Sequence, residues 1–199
     1  MQREDLWATP VWYYDVPPTL INPNDIVREA YEHQNLDSGT TITNAGGYQS
    51  SSLTITNCAL PTLSMLMGVI ATQSQICSKA FGFDHGLIID NFWININKDN
   101  HYNHVHVHPS CVLSGAYYAA SKPQSGDIIF HNRPEASYIS GMLKQSGAKS
   151  NMFNSTIFKH KPIVGRVVIF PGWLQHSVEE NRSGEDRISI AFNIGRIQK

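Results

Sequence analysis

Residues 91–97, Asn91-Phe92-Trp93-Ile94-Asn95-Ile96-Asn97, and residues 103–109, Asn103-His104-Val105-His106-Val107-His108-Pro109, alternate two kinds of side chain at a period of two. That period belongs to a β-strand, in which successive side chains point to opposite faces. Near the C-terminus, Arg187, Ser189, Ala191 and Asn193 alternate in the same way with Ile188, Ile190, Phe192 and Ile194. A solvated strand face is usually rich in Lys and Glu, whereas these faces carry His, Asn, Trp, Arg and Ser. The polar faces are therefore expected to line a cavity, and the apolar faces to pack against helices or a second sheet.

Around these strands the chain divides into a helix-bearing first part and a strand-rich second part. Trp7, Trp12, Tyr13 and Tyr14, punctuated by Pro10, Pro17 and Pro18, suit an aromatic edge strand over 7–14. Asn22-Pro23-Asn24-Asp25 carries helix-start chemistry, and Ile26, Val27, Ala30 and Tyr31 give a short helix one apolar side. Residues 36–58, rich in Ser, Thr, Asn and Gly, read as a loop or irregular β region, a flap on the substrate side. Pro61 then opens an amphipathic helix through Leu63, Leu66, Met67, Ile70, Cys77 and Ala80 that ends near Gly82. Further strands are expected over 111–120, 126–130 and 166–170, with 131–155 as a long insertion or lid. This order predicts an α+β protein, one domain over 1–199. Residues 1–85 form its supporting part and 86–197 a double-sheet jelly-roll core, with the N-terminal helices packed on one sheet.

Composition narrows the function classes. The 199 residues hold 15 Lys+Arg against 16 Asp+Glu, a formal charge of −1, so nucleic acid is not an expected partner. Cys58, Cys77 and Cys111 are odd in number, with no CxxC, which excludes a disulfide scaffold and suits a reducing, cytoplasmic compartment. The opening residues lack an apolar signal-peptide core, and no membrane span is expected. No Walker or Rossmann glycine pattern and no nucleophile triad stands out. The unusual count is histidine, nine in all, four of them between His101 and His108.

Alternate histidines of 104–108 sit roughly 6.6–7 Å apart along one strand face, so on a curved strand two can converge on one ion, either His104 with His106 or His106 with His108. A third ligand is available at His176, in Phe170-Pro171-Gly172-Trp173-Leu174-Gln175-His176, where a Pro-Gly turn can bring the ring back over the barrel. Arg187 follows eleven residues later, and with Ser189 it could grip a carboxylate, Arg by a bidentate fork. Cys111 reads as packing, Tyr117 or Tyr118 as core with a satisfied hydroxyl, and His33, His85, His101, His131 and His160 as helix-surface, turn or solvent-facing residues.

The order HxH, FPGWLQH, RIS resembles the iron(II)/2-oxoglutarate-dependent oxygenases, especially their prolyl-hydroxylase-like branch with its cupin-like double-stranded β-helix. His106-Val107-His108-Pro109 followed by Ser114-Gly115-Ala116-Tyr117-Tyr118 is similar to a subfamily that carries HxHP and SGxYY; the likeness covers residues 86–197 by motif. It implies iron(II), 2-oxoglutarate and O₂, with His106, His108 and His176 as metal ligands, His108 standing where the family usually has Asp. Pro109 favours this register over His104 with His106. The resemblance also implies Arg187, helped by Ser189, as the clamp of the cosubstrate's distal carboxylate, with Tyr118 and Asn95 beside it. No catalytic group is expected beyond the metal centre. The implied reaction hydroxylates a substrate C–H bond and releases succinate and CO₂; the substrate is a small molecule or peptide. Trp93, Asn95, Trp173 and the segments 36–58 and 131–155 are candidate substrate walls. The residues alone leave two alternatives open: a three-His cupin-type dioxygenase that uses no 2-oxoacid, and a jelly-roll binding or structural module. An aromatic edge strand is also compatible with a homodimer.

Overall fold

The computed structural model describes residues 8–83, 87–133, 140–143 and 147–197. Trp7, His85 and parts of the 131–155 segment lie outside them. Eleven strands form two sheets. The six-stranded sheet has the order β1 (Trp12–Asp15), β9 (Arg166–Pro171), β6 (Leu113–Ala120), β11 (Arg187–Ile197), β4 (Leu87–Asn97), β3 (Tyr48–Gln49). The five-stranded sheet has the order β2 (Asn44–Ala45), β5 (Tyr102–His106), β10 (His176–Val178), β7 (Ile128–His131), β8 (Ile157–His160). From β4 to β7 the chain alternates between the sheets strand by strand, and after the β7–β8 hairpin it alternates again to β11. This winding is the double-stranded β-helix expected from the sequence. Every strand pairing is antiparallel.

The alternation in 91–97 and 187–194 is realised as read. On β4 and β11, Phe92, Ile94, Ile96, Ile188, Ile190, Phe192 and Ile194 are all buried, in one apolar cluster with Leu63, Leu66, Met67 and Ile70. Those four belong to helix α2 (Pro61–Ala80), which packs on β4, while helix α1 (Pro23–Gln34) packs on β6. Both helices thus cover the outer face of the six-stranded sheet. Its inner face meets the five-stranded sheet through a smaller cluster of Tyr118, Ile128, Phe130, Val168, Phe170 and Leu174. Beside that cluster the polar positions enclose a cavity. Among the described residues no helix is long and apolar enough to cross a membrane.

Several expectations are corrected. Val105 and Val107 do not pack in the core: they are 51% and 43% exposed, because both described helices lie on the other sheet. The strand expected over 104–108 ends at His106. β8 and β10 were not expected as strands; each is only three or four residues long, too short for periodicity to register. His101, His131 and His160 are half-buried and bonded instead of solvent-facing: His101 Nδ1 accepts from Lys98 N at 3.0 Å, His131 Nε2 meets Ser177 Oγ at 2.9 Å, and His160 packs on the Tyr13 ring. His33 lies on α1, but its Nε2 is buried without a partner.

Helix starts illustrate how the first part is assembled. α1 begins as its sequence signals, with Asn22 Oδ1 accepting from Asn24 N at 3.0 Å. α2 starts at Pro61 after Leu60, which has no capping side chain. Its first free amides are served from the other helix: Glu29, 3% exposed, accepts from Thr62 N at 2.7 Å and Leu63 N at 2.9 Å. A carboxylate there also complements the positive end of the helix. Glu29→Ala is expected to destabilise the protein by roughly 1–3 kcal/mol, since a charged acceptor is lost from two buried donors. Urea denaturation measures this, and Glu29→Gln should recover part of the loss.

Candidate metal centre

β5 and β10 are neighbours, and their register places His106 directly opposite His176. Cross-strand partners on one face bring their side chains together, and the two rings lie 4.2 Å apart between centroids. His108 lies just past the end of β5. Its backbone N–H donates to Gly172 O at 2.8 Å, tying it to the turn that leads to His176. Gly172 is required by close approach: a Cβ there would sit 2.6 Å from Cys111 Sγ and 2.7 Å from Cys111 O. The glycine of the Phe170–His176 motif therefore lets the two ligand-bearing segments touch. Cys111, expected as a buried apolar filler, is half-buried and hydrogen-bonded: its thiol donates to His108 O at 3.4 Å, and burial pushes it up to about 11.

Ring orientation is fixed by carbonyls two residues back in the chain. His106 Nδ1 donates to His104 O at 2.7 Å, and His176 Nδ1 donates to Leu174 O at 2.8 Å. A carbonyl can only accept, so both rings carry their proton on Nδ1 and leave the Nε2 lone pair for the centre. His108 Nε2 lies 3.2 Å from His176 Nε2, and its ring stacks on Trp93 at 5.8 Å. Ligand nitrogens of all three histidines fall within 4.8 Å of one another. Bonds of about 2.1 Å to a first-row ion put adjacent nitrogens roughly 3 Å apart; the His108–His176 pair already has that spacing, and the set of three could hold one metal ion. Burial pulls His106 below its ordinary range, His108 down to about 4 and His176 to about 3. All three are neutral at pH 7, the form that binds a metal. His104 is exposed, its ring packed on Tyr102, and is not part of the group.

Behind the histidines lies an inner cavity of about 60 Å³, lined by Trp93, Asn95, Tyr118, Arg187 and Ser189, among others. Every residue expected around a carboxylate is present. Arg187, at the start of β11, is 1% exposed. Its Nη1 donates to the carbonyls of Ser125, Gly126 and Glu179, while the buried Nη2 has no partner. Burial lowers its pKa to about 10, so it remains a cation at neutral pH. Burial raises Tyr118 to about 12, keeping a neutral hydroxyl. Strand parity resolves the tyrosine pair: Tyr118 faces the cavity, and Tyr117 lies in the helix-side core. Asn95 Oδ1 and Asn97 Nδ2, also in this lining, are buried without partners. A buried cation with an open donor, among open amide groups, can hold a carboxylate.

A second cavity of about 380 Å³ opens on the outer side of His106 and His108. Thr40, Ile42, Thr43, Gln49, Ser50 and Ser52 of the 36–58 segment form much of its wall, as expected of that flap. Trp93 borders both cavities and Asn95 only the inner one. Trp173 borders neither and is 54% exposed, and no described residue of 131–155 reaches either cavity. Asn97, on the polar face of β4 that parity expects to line a cavity, borders the inner one, as does Asn103. Gln49 is not expected from the sequence, because it sits on a two-residue strand that leaves no periodic trace.

The model of a family described as "Putative 2OG-Fe(II) oxygenase" matches residues 91–193 of the chain. No curated protein sequence matches it. A prolyl-4-hydroxylase from Pseudomonas putida is similar in structure, with a TM-score of 0.67 at 10% identity, over 96% of both chains. A prolyl hydroxylase from Trichoplax adhaerens, solved with a hypoxia inducible factor peptide fragment, has a TM-score of 0.67 at 9% identity, over 93% of this chain and 83% of its own. HygX from Streptomyces hygroscopicus, solved with nickel and 2-oxoglutarate, has a TM-score of 0.60 at 12% identity, over 94% and 83%. At such identities these structures speak for the fold.

Substitution of the three clustered histidines and of His104 separates the two ligand registers. Anaerobic Fe(II) titration should show His106→Ala, His108→Ala and His176→Ala each losing affinity by about 100-fold or more, given that even outer-shell changes cost 10–100-fold. His104→Ala should retain wild-type affinity, because only its backbone carbonyl serves the site.

Proposed function

The chain belongs to the 2OG-Fe(II) oxygenase family, and from that premise we propose that it hydroxylates a C–H bond of its substrate at a centre held by His106, His108 and His176. The single observation that carries the reading is the conjunction of three converging neutral imidazoles with the buried, half-satisfied Arg187 across one cavity. Iron(II) bound with 2-oxoglutarate supplies the activation of O₂, and the balance is R–H + 2-oxoglutarate + O₂ → R–OH + succinate + CO₂.

The protein's own part is binding and placement. His106 and His176 keep their Nε2 atoms inward because their Nδ1 protons are engaged by His104 O and Leu174 O. Arg187 is clamped by three carbonyls at Nη1, which leaves Nη2 to receive the distal carboxylate of the cosubstrate. Ser189 and the neutral Tyr118 hydroxyl add donors on the same lining, and Asn95 adds an amide. Trp93 separates this inner compartment from the outer one, where the substrate would sit. No acid or base is called for beyond the metal centre. The open Arg187 donor also favours this reading over a three-His dioxygenase that uses no 2-oxoacid, for which a buried cation would have no anion to meet.

Succinate and CO₂ formation from 2-oxoglutarate, dependent on Fe(II) and O₂, tests the activity; a wild-type protein that binds iron but no 2-oxoglutarate would overturn it. Arg187→Met should weaken 2-oxoglutarate by about 10–150-fold, the worth of a charge-assisted hydrogen bond, while iron affinity stays near wild type. Isothermal titration of each ligand separately reads both.

A further inference from the structure

We infer that the outer cavity recognises an uncharged, amide-bearing substrate, with Gln49 as its specificity-determining residue; this rests on the proposed role of the neighbouring histidines. Three observations converge. Among the residues that line the cavity, the only ionisable ones are His106 and His108, which face the metal centre. A charged group brought into this cavity would lose part of its hydration and meet no charged side chain among the described lining residues. The volume of about 380 Å³ lies within the range of small-molecule sites, so the substrate portion that enters it is held in a cleft.

Gln49 carries the second observation. It is 6% exposed and borders this cavity, and its carboxamide makes no hydrogen bond to any described residue. Its backbone carbonyl accepts from Thr40 N at 2.8 Å, and the residue stands opposite Asn95 on β4. A carboxamide at the cavity wall with its oxygen and its NH₂ both free of protein partners is matched best by a group offering a donor and an acceptor side by side, which is what an amide presents.

The third is a directed chain of side chains in the same lining. Asn193 Nδ2 donates to Asn91 Oδ1 at 3.0 Å, and Asn91 Nδ2 donates to Ser52 Oγ at 3.0 Å. Ser52 thereby accepts from the protein and keeps its hydroxyl proton for an acceptor in the cavity, such as a carbonyl. Gln49 and Ser52 come from the same 36–58 segment, on either side of Ser50, whose hydroxyl is consumed internally by Ser51 O and Ile94 N. Recognition is therefore assigned to Gln49 and Ser52 of that segment and withheld from Ser50, which borders the same cavity.

The test uses four matched probes on zinc-loaded protein with 2-oxoglutarate bound, read by ligand-detected NMR: N-acetyl-alanyl-alaninamide, its free acid, the cationic alanyl-alaninamide, and methyl glucoside as an uncharged non-amide. The neutral peptide amide should bind, with both charged analogues weaker by about tenfold or more and the glucoside silent. Gln49→Leu should weaken the neutral peptide amide by a similar factor without changing 2-oxoglutarate affinity, and Gln49→Glu should shift preference toward the cationic probe. Equal binding of charged and neutral probes, a glucoside signal with a silent neutral peptide amide, or indifference to both Gln49 variants would overturn the inference. Failure of wild-type protein to bind 2-oxoglutarate would instead sink the assignment of the inner cavity, so the two failures are read separately.

Discussion

Everything at the metal centre depends on one strand register. Side chains alternate with a period of two, so slipping β10 by one residue against β5 would turn His176 away from His106 and send it to the outer face. The register is held from both sides. β10 is hydrogen-bonded to β7 as well as to β5, with His176 opposite Phe130 in the former pairing. On the other flank, the His108 N–H reaches Gly172 O, and the Phe170 ring meets His176 edge-on at 4.6 Å. A three-residue strand would be poorly specified alone; placed between two partners and anchored by the turn before it, it has one arrangement available.

The same register explains the electrostatic character of the site. Three imidazoles converge with no carboxylate among them, so the donor set is neutral and the ion would keep its full charge. The permanent cation of the inner cavity is Arg187, on the inward face of β11. Its burial is tolerated because Nη1 is spread over three backbone carbonyls, each a partial negative charge that moves little. An anionic cosubstrate would thus be drawn from two ends, by the ion at the histidines and by the guanidinium at the far wall. Neither end contains an acid that would oppose it.

How much of this the sequence discloses follows from the length of each element. β4 and β11 are eleven residues each, long enough for alternation to identify both faces, so their core residues and Asn95, Arg187 and Ser189 are legible. The histidine trio is legible because the HxH pair and the distal His stand beside Pro109 and the Pro171-Gly172 turn. The mouth is not. Gln49, on a two-residue strand, and Ser52, in the loop after it, are positioned by pairing with β4 and by Asp37, which accepts from Ser51 and Tyr48. Those are tertiary contacts, invisible to local pattern. The exposed Val105 and Val107 fail for the complementary reason: alternation tells that a strand has two faces, but not whether the fold supplies anything to cover the second.

The distribution of unsatisfied groups gives the last step. Most polar side chains of the cavities could have been paired internally, as Ser50, Asn91 and Asn193 are. Yet Arg187 Nη2, Asn95 Oδ1 and Asn97 Nδ2 are buried on the inner lining without a partner, and the Gln49 carboxamide stands open on the outer one. Each of the three groups on the inner lining costs on the order of 1–3 kcal/mol in the free protein, a sizeable share of the stability of a domain this size. Elsewhere among the described residues His33 Nε2 and the Tyr117 hydroxyl are also buried without a partner, but each stands alone. The groups of the cavities lie on either side of Trp93 and the three histidines, with an anion-matching set on one side and an amide-matching group on the other. That clustering puts the open groups where two different ligands would meet a single reacting centre, and it orders them in space before either arrives.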